Sequence, residues 1–305
     1  MATKALILAA GFGTRLKPLT DHIPKPLLPF FGPSLLDFAI YRVRQAGIQH
    51  IAVNAHHLAP LIQSHLHRPE YRNIVVSVED TILGTAGAVN PLRHWIGDDD
   101  LLIFNADIIA DIDLSALLEG HRLNRAVASM VLLRKGLAGK NPVYATEDRV
   151  VRIGGEAMGG DIKPRTFACA HLLSPSFLGK IVPSGASEIV PIYNDLLRSG
   201  ERVNAIFHGG FWRDLGTPQD FWQAYADVFE KFSLYRYALG IDEVCAQLAI
   251  WGGKTSIEHR TYIAPGAKVA EDAQLDNAVV FSGARLGSQE IVKNTLVSAH
   301  SRVGF

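Results

Sequence analysis

The first 110 residues alternate between short apolar runs and amphipathic segments, and this alternation constrains the fold most strongly. Residues 6–10 are apolar without a break, which is typical of a strand buried on both faces. Helical spacing follows at 35–46, 58–67 and 86–95, where Pro91 must lie in the first turn or break the helix. Further strands are predicted at "IQHIAVNA", "NIVVSVED" and "LLIFNAD". The order predicts an α/β fold, a Rossmann-like and mostly parallel sheet with helices on both faces.

The same kind of pattern continues to about residue 230. "VASMVLLRK" and "RTFACAHLLSP" are predicted strands, and "VPIYNDLLRSG" is a predicted helix that ends at Gly200. "RVNAIFHGGFWRDLGTPQDFWQAYADVF" predicts a strand, a turn and a helix. Thr217 is a good N-cap for that helix, with Pro218 in its first position.

After about residue 256 the pattern changes to a period of six. A six-residue period is neither helical nor simple alternation, and it fits a β-solenoid better than an irregular β-meander. A short solenoid needs the first domain or another subunit to cover its ends, and the chain stops soon after its last repeat. The apolar positions are Ile257, Ile263, Val269 and Leu275, then Val280 and Leu286, then Ile291, Val297 and Val303.

Composition excludes several classes of protein. The 305 residues fit one large or two unequal domains, and 30 basic residues balance 30 acidic ones, which argues against broad binding to nucleic acid. Cys169 and Cys245 match neither a disulfide framework nor a zinc site, so we expect a reducing cytoplasm. The apolar run after Lys4 is too short for a membrane span or a signal peptide.

The loop after the first strand carries the strongest chemical signal. "GFGTR" can present free backbone N–H groups to an anion, although it lacks both GxGxxG and the GKS or GKT of a P-loop. Arg15 follows the glycines directly, and Lys17 and Lys25 come next. Pro24 and Pro26 stiffen the backbone around Lys25, which an ordinary surface lysine does not need. The three cations indicate a polyphosphate ligand.

Two aspartates provide candidate metal ligands. Asp107 ends the "LLIFNAD" strand and Asp214 lies in "FWRDLG". Single aspartates at strand ends are usually turn formers. A carboxylate pair beside a triphosphate is typical of a Mg²⁺ site, because magnesium takes one or two carboxylates together with phosphate oxygens.

Four motifs carry a family resemblance. "LAAGFGTRLKPLT…PKPLLP", "LGTAGAV", "FNAD" and "FWRDLGTPQDF", in that order over about residues 3–230, resemble the sugar-1-phosphate nucleotidylyltransferases. The C-terminal repeats are similar to the left-handed β-helix of mannose-1-phosphate guanylyltransferase-like members. The resemblance implies a catalytic domain over 1–234, a linker helix over 235–255 and a hexapeptide-repeat β-helix over 256–305. The use of such tails in assembly implies a homo-oligomer.

The resemblance also implies a reaction and roles for the phosphate-binding residues. An NTP and a sugar 1-phosphate would give an NDP-sugar and pyrophosphate, with Mg²⁺ as cofactor. Arg15 would hold the β and γ phosphates, and Lys25 would neutralise the reacting phosphates. Asp107 and Asp214 would hold the metal at the α-phosphate, with Asp107 counted among the catalytic residues. Backbone groups of the loop would hold the nucleotide, namely Ala10, Gly11, Gly13 and Thr14.

Nucleoside and sugar contacts follow by motif position. Gly84, Thr85 and Ala86 would face the base and ribose. Glu79 is either an acceptor for the base or sugar or a helix cap. Other members have glycine where Cys169 or Ala170 stands. "DIKP" makes Asp161 and Lys163 sugar-phosphate candidates, and we interpret His56 and His57 as loop residues beside the cleft rather than metal ligands.

Several functions are compatible with these residues. A GDP-mannose-like product is favoured, with UDP-sugar synthesis, including the N-acetylmuramate 1-phosphate uridylyltransferase type, or dTDP-glucose synthesis as alternatives. A catalytically silent relative that binds nucleotide-sugar is a further alternative. It is disfavoured because the four charged residues of the expected site, Arg15, Lys25, Asp107 and Asp214, are all present. A choline-phosphate or similar cytidylyltransferase is disfavoured by the C-terminal repeats.

Overall fold

The structure is a computed structural model that describes residues 2–134, 142–155, 162–183, 185–250 and 252–305. Its strands are β1 (Thr3–Leu8), β2 (Ile51–Ala55), β3 (Val75–Val78), β4 (Asp100–Asn105), β5 (Ile108–Ala110), β6 (Ala128–Leu133), β7 (Val143–Ala145), β8 (Val150–Ile153), β9 (Pro164–Leu173), β10 (Val203–His208), β11 (Trp212–Asp214), β12 (Lys254–Ser256), β13 (Thr261–Ile263), β14 (Lys268–Val269), β15 (Gln274–Val280), β16 (Arg285–Leu286), β17 (Ile291–Val297) and β18 (Arg302–Gly304). Its α-helices are α1 (Leu35–Gln45), α2 (Ala59–Leu66), α3 (Gly84–Gly87), α4 (Arg93–Ile96), α5 (Leu114–Asn124), α6 (Pro175–Leu178), α7 (Ile189–Arg198), α8 (Pro218–Glu230), α9 (Phe232–Ala238) and α10 (Ile241–Gln247).

A nine-stranded sheet organises the first 210 residues; it contains the seven strands that the apolar pattern predicts, together with β7 and β8, which were not predicted. The main path runs β10-β6-β9-β4-β1-β2-β3, and β7 and β8 extend it beside β9. The pairs β1–β2, β1–β4, β2–β3 and β6–β10 are parallel. β9 is antiparallel to both β4 and β6. All other strands of the main path therefore share one direction, and their carboxyl ends meet at one edge.

Side-chain alternation along the strands builds a core on each face of this sheet. Ile7 and Phe104 lie in the first core, which packs against α1, α2 and α5. Leu6 and Ile103 lie in the second core, which packs against α4, α6 and α7. This arrangement confirms the prediction of helices on both faces.

Two local predictions have clear outcomes. The helix predicted over 86–95 is broken: α3 and α4 are separated by a 3₁₀ turn, Asn90–Leu92, with Pro91 in its second position. Thr217 is the N-cap of α8, as predicted, and its hydroxyl accepts a hydrogen bond from Asp220 N at 3.1 Å. No helix among the described residues reaches the length and apolarity that a membrane crossing requires.

The C-terminal strands repeat with a displacement of 17 residues. β13, β15 and β17 pair in parallel. The side-chain amide of Asn277 donates a hydrogen bond to Oδ1 of Asn294, which lies 17 residues later on the next strand. β14 and β16 form a second parallel pair with the same displacement. β12 and β18 close the two ends of the larger sheet as antiparallel strands. A repeat of 17 residues fits steps of six, six and five, as from Ile263 to Val280. It makes Val292, the register partner of Leu275, the repeat position in place of the predicted Ile291, whose side chain is exposed.

The end of the chain packs against the preceding domain, which is one of the two covers expected for the repeats. Val303 and Phe305 pack against a third core, and the Phe305 ring stacks on Trp222 of α8 with centroids 4.7 Å apart. The same core holds Tyr262 and Phe281 of the C-terminal strands beside the aromatic side chains of α8. Residues 256–305 therefore share a hydrophobic core with the preceding domain.

Candidate active site

The glycine-rich loop leaves β1 at the carboxyl edge of the sheet. Gly13 has φ of 62°, and a Cβ there would lie 3.0 Å from Thr20 Cγ2 and 3.2 Å from Lys25 Cβ. Only glycine meets both conditions without strain. The Thr20 hydroxyl donates to Gly13 O at 2.9 Å, so the turn is held against the segment that carries Lys25. Gly11 lies in open space, with no atom within 4 Å of a Cβ position.

Arg15 extends from this loop to the "RDLG" segment. Its guanidinium covers Gly216, where a Cβ would lie 2.8 Å from Arg15 Nη2. Burial raises the pKa of the Asp214 carboxyl, and the positive charge of Arg15 is one of the effects that oppose this rise. Lys17 does not share this position, because it forms an exposed ion pair with Asp21 at 3.0 Å.

Lys25 is the central cation of the site. Its residue is 7% exposed, which excludes the alternative of an ordinary surface charge. The Lys25 ammonium lies 2.8 Å from Asp107 Oδ2 and 3.6 Å from Asp214 Oδ1. The two aspartates meet because β5 and β11 pair in antiparallel fashion directly after Asp107, and Leu215 N donates to Asp107 O. Both carboxylates keep part of their surface open to solvent.

The donor set fits a divalent cation that phosphate oxygens help to coordinate. Hard cations such as Mg²⁺ take carboxylate oxygens, and they are commonly bound by one or two carboxylates together with substrate phosphates. Among the described residues, no group of three or more histidine, cysteine, aspartate or glutamate side chains forms an all-protein metal site. Partial burial raises the pKa of the Asp214 carboxyl; the Lys25 ammonium opposes this effect, and the Asp107 carboxylate adds to it.

A cavity beside Lys25 is lined by residues from both ends of the loop. Ala10 and Gly11 line it at the start of the loop, Lys25 lines it at the end of the loop, and Gly84 and Thr85 also line it. Of the predicted nucleoside-contact residues, Ala86 is fully buried in the second core and does not line the cavity. Gly13 and Thr14 lie further along the loop, in and beside the 3₁₀ turn.

Glu79 also lines this cavity, but the protein already uses both of its carboxylate oxygens. Asn54 Nδ2 donates to Glu79 Oε1 at 2.7 Å, and Leu83 N donates to Glu79 Oε2 at 3.0 Å. Asn54 Oδ1 in turn accepts from Ala9 N at 2.7 Å. The chain Ala9–Asn54–Glu79–Leu83 therefore ties the glycine-rich loop to the residue before α3. Its geometry supports the capping interpretation of Glu79.

The structure does not gather the predicted sugar-side residues at one place as it does the phosphate-binding residues. Lys163 is exposed just before β9, and Asp161 lies outside the described residues. Cys169 has φ of 63° at an irregularity in β9, a backbone conformation that favours glycine. Burial raises the pKa of the Cys169 thiol, and the nearby charges of Asp107 and Asp214 add to that shift. This side chain therefore lies close to the carboxylate pair.

The paired histidines have structural contacts. His56 Nδ1 lies 2.8 Å from Glu79 O, and His57 Nε2 lies 3.0 Å from Thr20 O. Both rings contact the exposed Phe12. Sequence reasoning missed Asn54 and Gly216. Asn54 is a polar residue within the apolar strand "IAVNA", and Gly216 directly follows "RDL", so both positions are noticeable in the sequence. Their roles become apparent only from their contacts with Glu79 and Arg15 in the structure.

Comparisons with known proteins agree with the family resemblance. Residues 4–141 match the Nucleotidyl transferase family model. The chain is 28% identical over 292 residues to the mannose-1-phosphate guanylyltransferase of Mycobacterium tuberculosis, covering 92% of this chain and 80% of that protein. It is 26% identical over 332 residues to the UTP–glucose-1-phosphate uridylyltransferase of Synechocystis sp., covering 93% and 84%.

A solved structure supports the fold. The crystal structure of HddC from Yersinia pseudotuberculosis complexed with GMP-PN superposes with a TM-score of 0.59 at 20% identity, covering 73% of this chain and 98% of that one. The relatives above and the family model over residues 4–141 confirm the resemblance to the sugar-1-phosphate nucleotidylyltransferases.

Proposed function

We propose that the protein transfers a nucleotidyl group from an NTP to a sugar 1-phosphate, giving an NDP-sugar and pyrophosphate. The observation that carries the proposal is the contact of buried Lys25 with both Asp107 and Asp214 beside the glycine-rich loop. GTP and a mannose-type sugar are the best-supported substrates, because several relatives are mannose-1-phosphate guanylyltransferases. The uridylyltransferase relative makes UTP the second candidate.

The reaction needs positioning and charge neutralisation more than proton transfer. An oxygen of the sugar phosphate forms a bond to the α-phosphorus while the bond from that phosphorus to the bridging oxygen breaks, and pyrophosphate leaves with the electron pair. Lys25 is placed to neutralise charge on the reacting phosphates. Arg15, at the mouth of the loop, is placed to hold the leaving β and γ phosphates. Backbone groups of Ala10 and Gly11 border the cavity beside them.

Asp107 and Asp214 are the residues that would hold a magnesium ion, whose chemistry would be to offset the negative charge of the phosphate oxygens. Their shared contact with the Lys25 ammonium keeps the two carboxylates together before any ligand arrives. Lys25 would then exchange part of these contacts for phosphate oxygens, since one ammonium has three donors.

For the C-terminal segment we propose two turns of a left-handed β-helix over 256–305, joined to a catalytic domain over 1–234 by a linker over 235–255. In place of the single predicted linker helix, this linker contains the end of α9 and all of α10. The parallel pairing at a displacement of 17 residues supports this division. The proposed assembly is a homo-oligomer. Light scattering on the full chain tests it, and a monomer at all concentrations would contradict it.

The test of the function is pyrophosphate release from a matrix of NTPs and sugar 1-phosphates. We expect activity with Mg²⁺, highest for GTP with mannose 1-phosphate among neutral hexose 1-phosphates, and loss of activity with EDTA. UTP ranking first would keep the reaction and change the nucleotide. Binding of an NDP-sugar without pyrophosphate release from any pair would instead identify a silent relative. Such a relative would have no turnover that Lys25→Met could lower.

A further inference from the structure

Two arginines flank one aromatic ring at the carboxyl edge of the sheet, away from the phosphate site. Arg134 follows the last residue of β6, and Arg165 is the second residue of β9. The Arg134 guanidinium carbon lies 5.6 Å and that of Arg165 5.3 Å from the centre of the Phe207 ring. Arg165 Nη1 also donates a hydrogen bond to Arg134 O. We call Arg134 and Arg165 the arginine pair.

The arginine pair has no acidic partner in the part of the chain that the structure describes. The exposed Lys163, two residues before Arg165, adds a third cation that has no described ion pair. Arg165 Nε is shielded from solvent and has no hydrogen-bond acceptor among the described residues. A buried donor without an acceptor is unfavourable, so this one favours an additional acceptor such as a bound anion.

Strand register places the arginine pair on the face of the sheet that forms the second core. Phe207 is the register partner of Leu132, which is the partner of Phe167, and these side chains pack against that core. Arg134 lies two residues after Leu132, and Arg165 lies two residues before Phe167. Because alternate residues of a strand share a face, both arginines project on this side.

The cavity beside Lys25 opens on the same face and at the same edge. Leu8 lines that cavity and packs against the second core. β6 lies two strands from β4, so Arg134 is roughly 10 Å across the sheet from Asp107 at a strand spacing of ~4.8 Å. This separation is too large for the arginine pair and Lys25 to hold one phosphate, and it leaves room for a sugar ring between them.

We propose that the arginine pair binds a second anionic group, a phosphate or a carboxylate, carried by the sugar 1-phosphate on the part of the ring away from C1. The proposal rests on the proposed function and specifies its sugar. Guanidinium groups recognise both anions through parallel hydrogen bonds, and an aromatic ring beneath them limits their rotamers before the ligand arrives. Lys163 would add charge at the edge of this position.

The test compares substrates within each enzyme. The kcat/KM for pyrophosphate release is measured with a hexose 1-phosphate, the corresponding hexose 1,6-bisphosphate and the corresponding hexuronic acid 1-phosphate, using wild type, Arg134→Ala, Arg165→Ala and Arg165→Lys. Arg285→Ala, an exposed arginine of β16, is the matched control. We expect wild type to prefer one anionic sugar. The ratio of anionic to neutral kcat/KM should fall on the order of 10- to 100-fold in the alanine variants, which is the loss of one hydrogen bond to a charged group. It should fall less in Arg165→Lys.

The two charged sugars show which anion is bound. A site for phosphate should give the higher kcat/KM with the hexose 1,6-bisphosphate, and a site for carboxylate should give the higher kcat/KM with the hexuronic acid 1-phosphate. An equal fall for neutral and anionic sugars would assign the arginine pair to the reacting phosphate and overturn the proposal. An unchanged ratio would overturn it as well. If wild type releases pyrophosphate from no pair, the proposed function fails separately. Calorimetry then measures the ratio of the affinities for the hexose 1,6-bisphosphate and the hexose 1-phosphate in wild type and in Arg165→Ala. The proposal expects this ratio to fall in Arg165→Ala, and an unchanged ratio would overturn it.

Discussion

Lys25 and the arginine pair lie at one edge of one sheet, but their surroundings are opposite. Lys25 is buried and contacts two carboxylates, whereas the arginine pair is partly exposed and has no acidic partner among the described residues. A cation held between two carboxylates has a fixed position before substrate binds, which suits transition-state stabilisation. Cations without acidic partners retain their capacity for a ligand's charge, which suits recognition. This division predicts that substitutions beside the reacting phosphates have the largest effects on turnover and that substitutions remote from the cavity have the smallest.

Replacing either carboxylate should have the largest effect. Asp107→Asn and Asp214→Asn should each lower kcat on the order of 10²- to 10³-fold, because a neutral amide is a weaker ligand for a hard cation. The amide would also hold the Lys25 ammonium less firmly in position than the carboxylate does. Steady-state pyrophosphate release over a Mg²⁺ titration measures this, with the exposed Asp98→Asn as control. Full activity of Asp214→Asn at the same Mg²⁺ concentration would remove Asp214 from the metal site.

The contact between Arg15 and Gly216 allows a double-mutant test. Arg15→Ala should lower kcat on the order of 10²-fold. Gly216→Ala should cost on the order of 10-fold, because its Cβ would lie 2.8 Å from Arg15 Nη2 and must displace the guanidinium. In the Arg15→Ala background, Gly216→Ala should have no further effect. Additive losses would mean that Gly216 acts independently of Arg15.

These residues show where sequence reasoning reaches and where it stops. Lys25 could be selected because two prolines fix its backbone, and the structure finds it buried. The approach of Asp107 to Asp214 could not be derived from the sequence alone, because it depends on the antiparallel pairing of β5 with β11 across a long separation. Both residues were candidates from the sequence, the resemblance implied their roles, and the fold supplied their distances from Lys25.

Other differences have physical causes of the same kind. Ala86 belongs to a motif that resembles a nucleoside-binding segment, yet the short helix α3 turns its side chain into the second core. The six-residue period included Val303 of β18, but it did not predict that this strand runs antiparallel to its neighbour, because a single return has no repeat to reveal its direction. Arg134 and Arg165 carried no motif, and only the register of β6 and β9 brings them together.

The raised pKa of the Asp214 carboxyl predicts a pH effect on stability. Its folded-state pKa lies above its unfolded value, so the native state binds this proton more tightly and ionised Asp214 destabilises the fold. Asp214→Asn should therefore raise the melting temperature at neutral pH. The gain should shrink as the pH falls through the folded pKa and vanish below the unfolded value of about 3.9. Melting curves of both proteins from pH 4 to 8 without metal measure it, and a gain that grows on acidification would contradict the sign.

The smallest effect is expected at the end of the chain. Phe305→Ala should lower the melting temperature by about 2–4 °C, since the stack of Phe305 on Trp222 stabilises by roughly 1 kcal/mol. Pyrophosphate release should stay within twofold of wild type, because this contact lies in the third core and away from the cavity. Leu123→Ala, at a side chain that is 76% exposed, is the control and should not shift the melting temperature.

The position of Lys25 is the central claim, and the kcat of Lys25→Met for pyrophosphate release tests it most directly. Methionine keeps an unbranched side chain of similar length in the buried position while removing the charge. At saturating NTP, sugar 1-phosphate and Mg²⁺, we expect kcat to fall on the order of 10²- to 10³-fold, as for loss of one donor to a transferring group. The folded fraction at the assay temperature should match wild type by circular dichroism. A correctly folded Lys25→Met that keeps kcat within threefold of wild type would contradict the account.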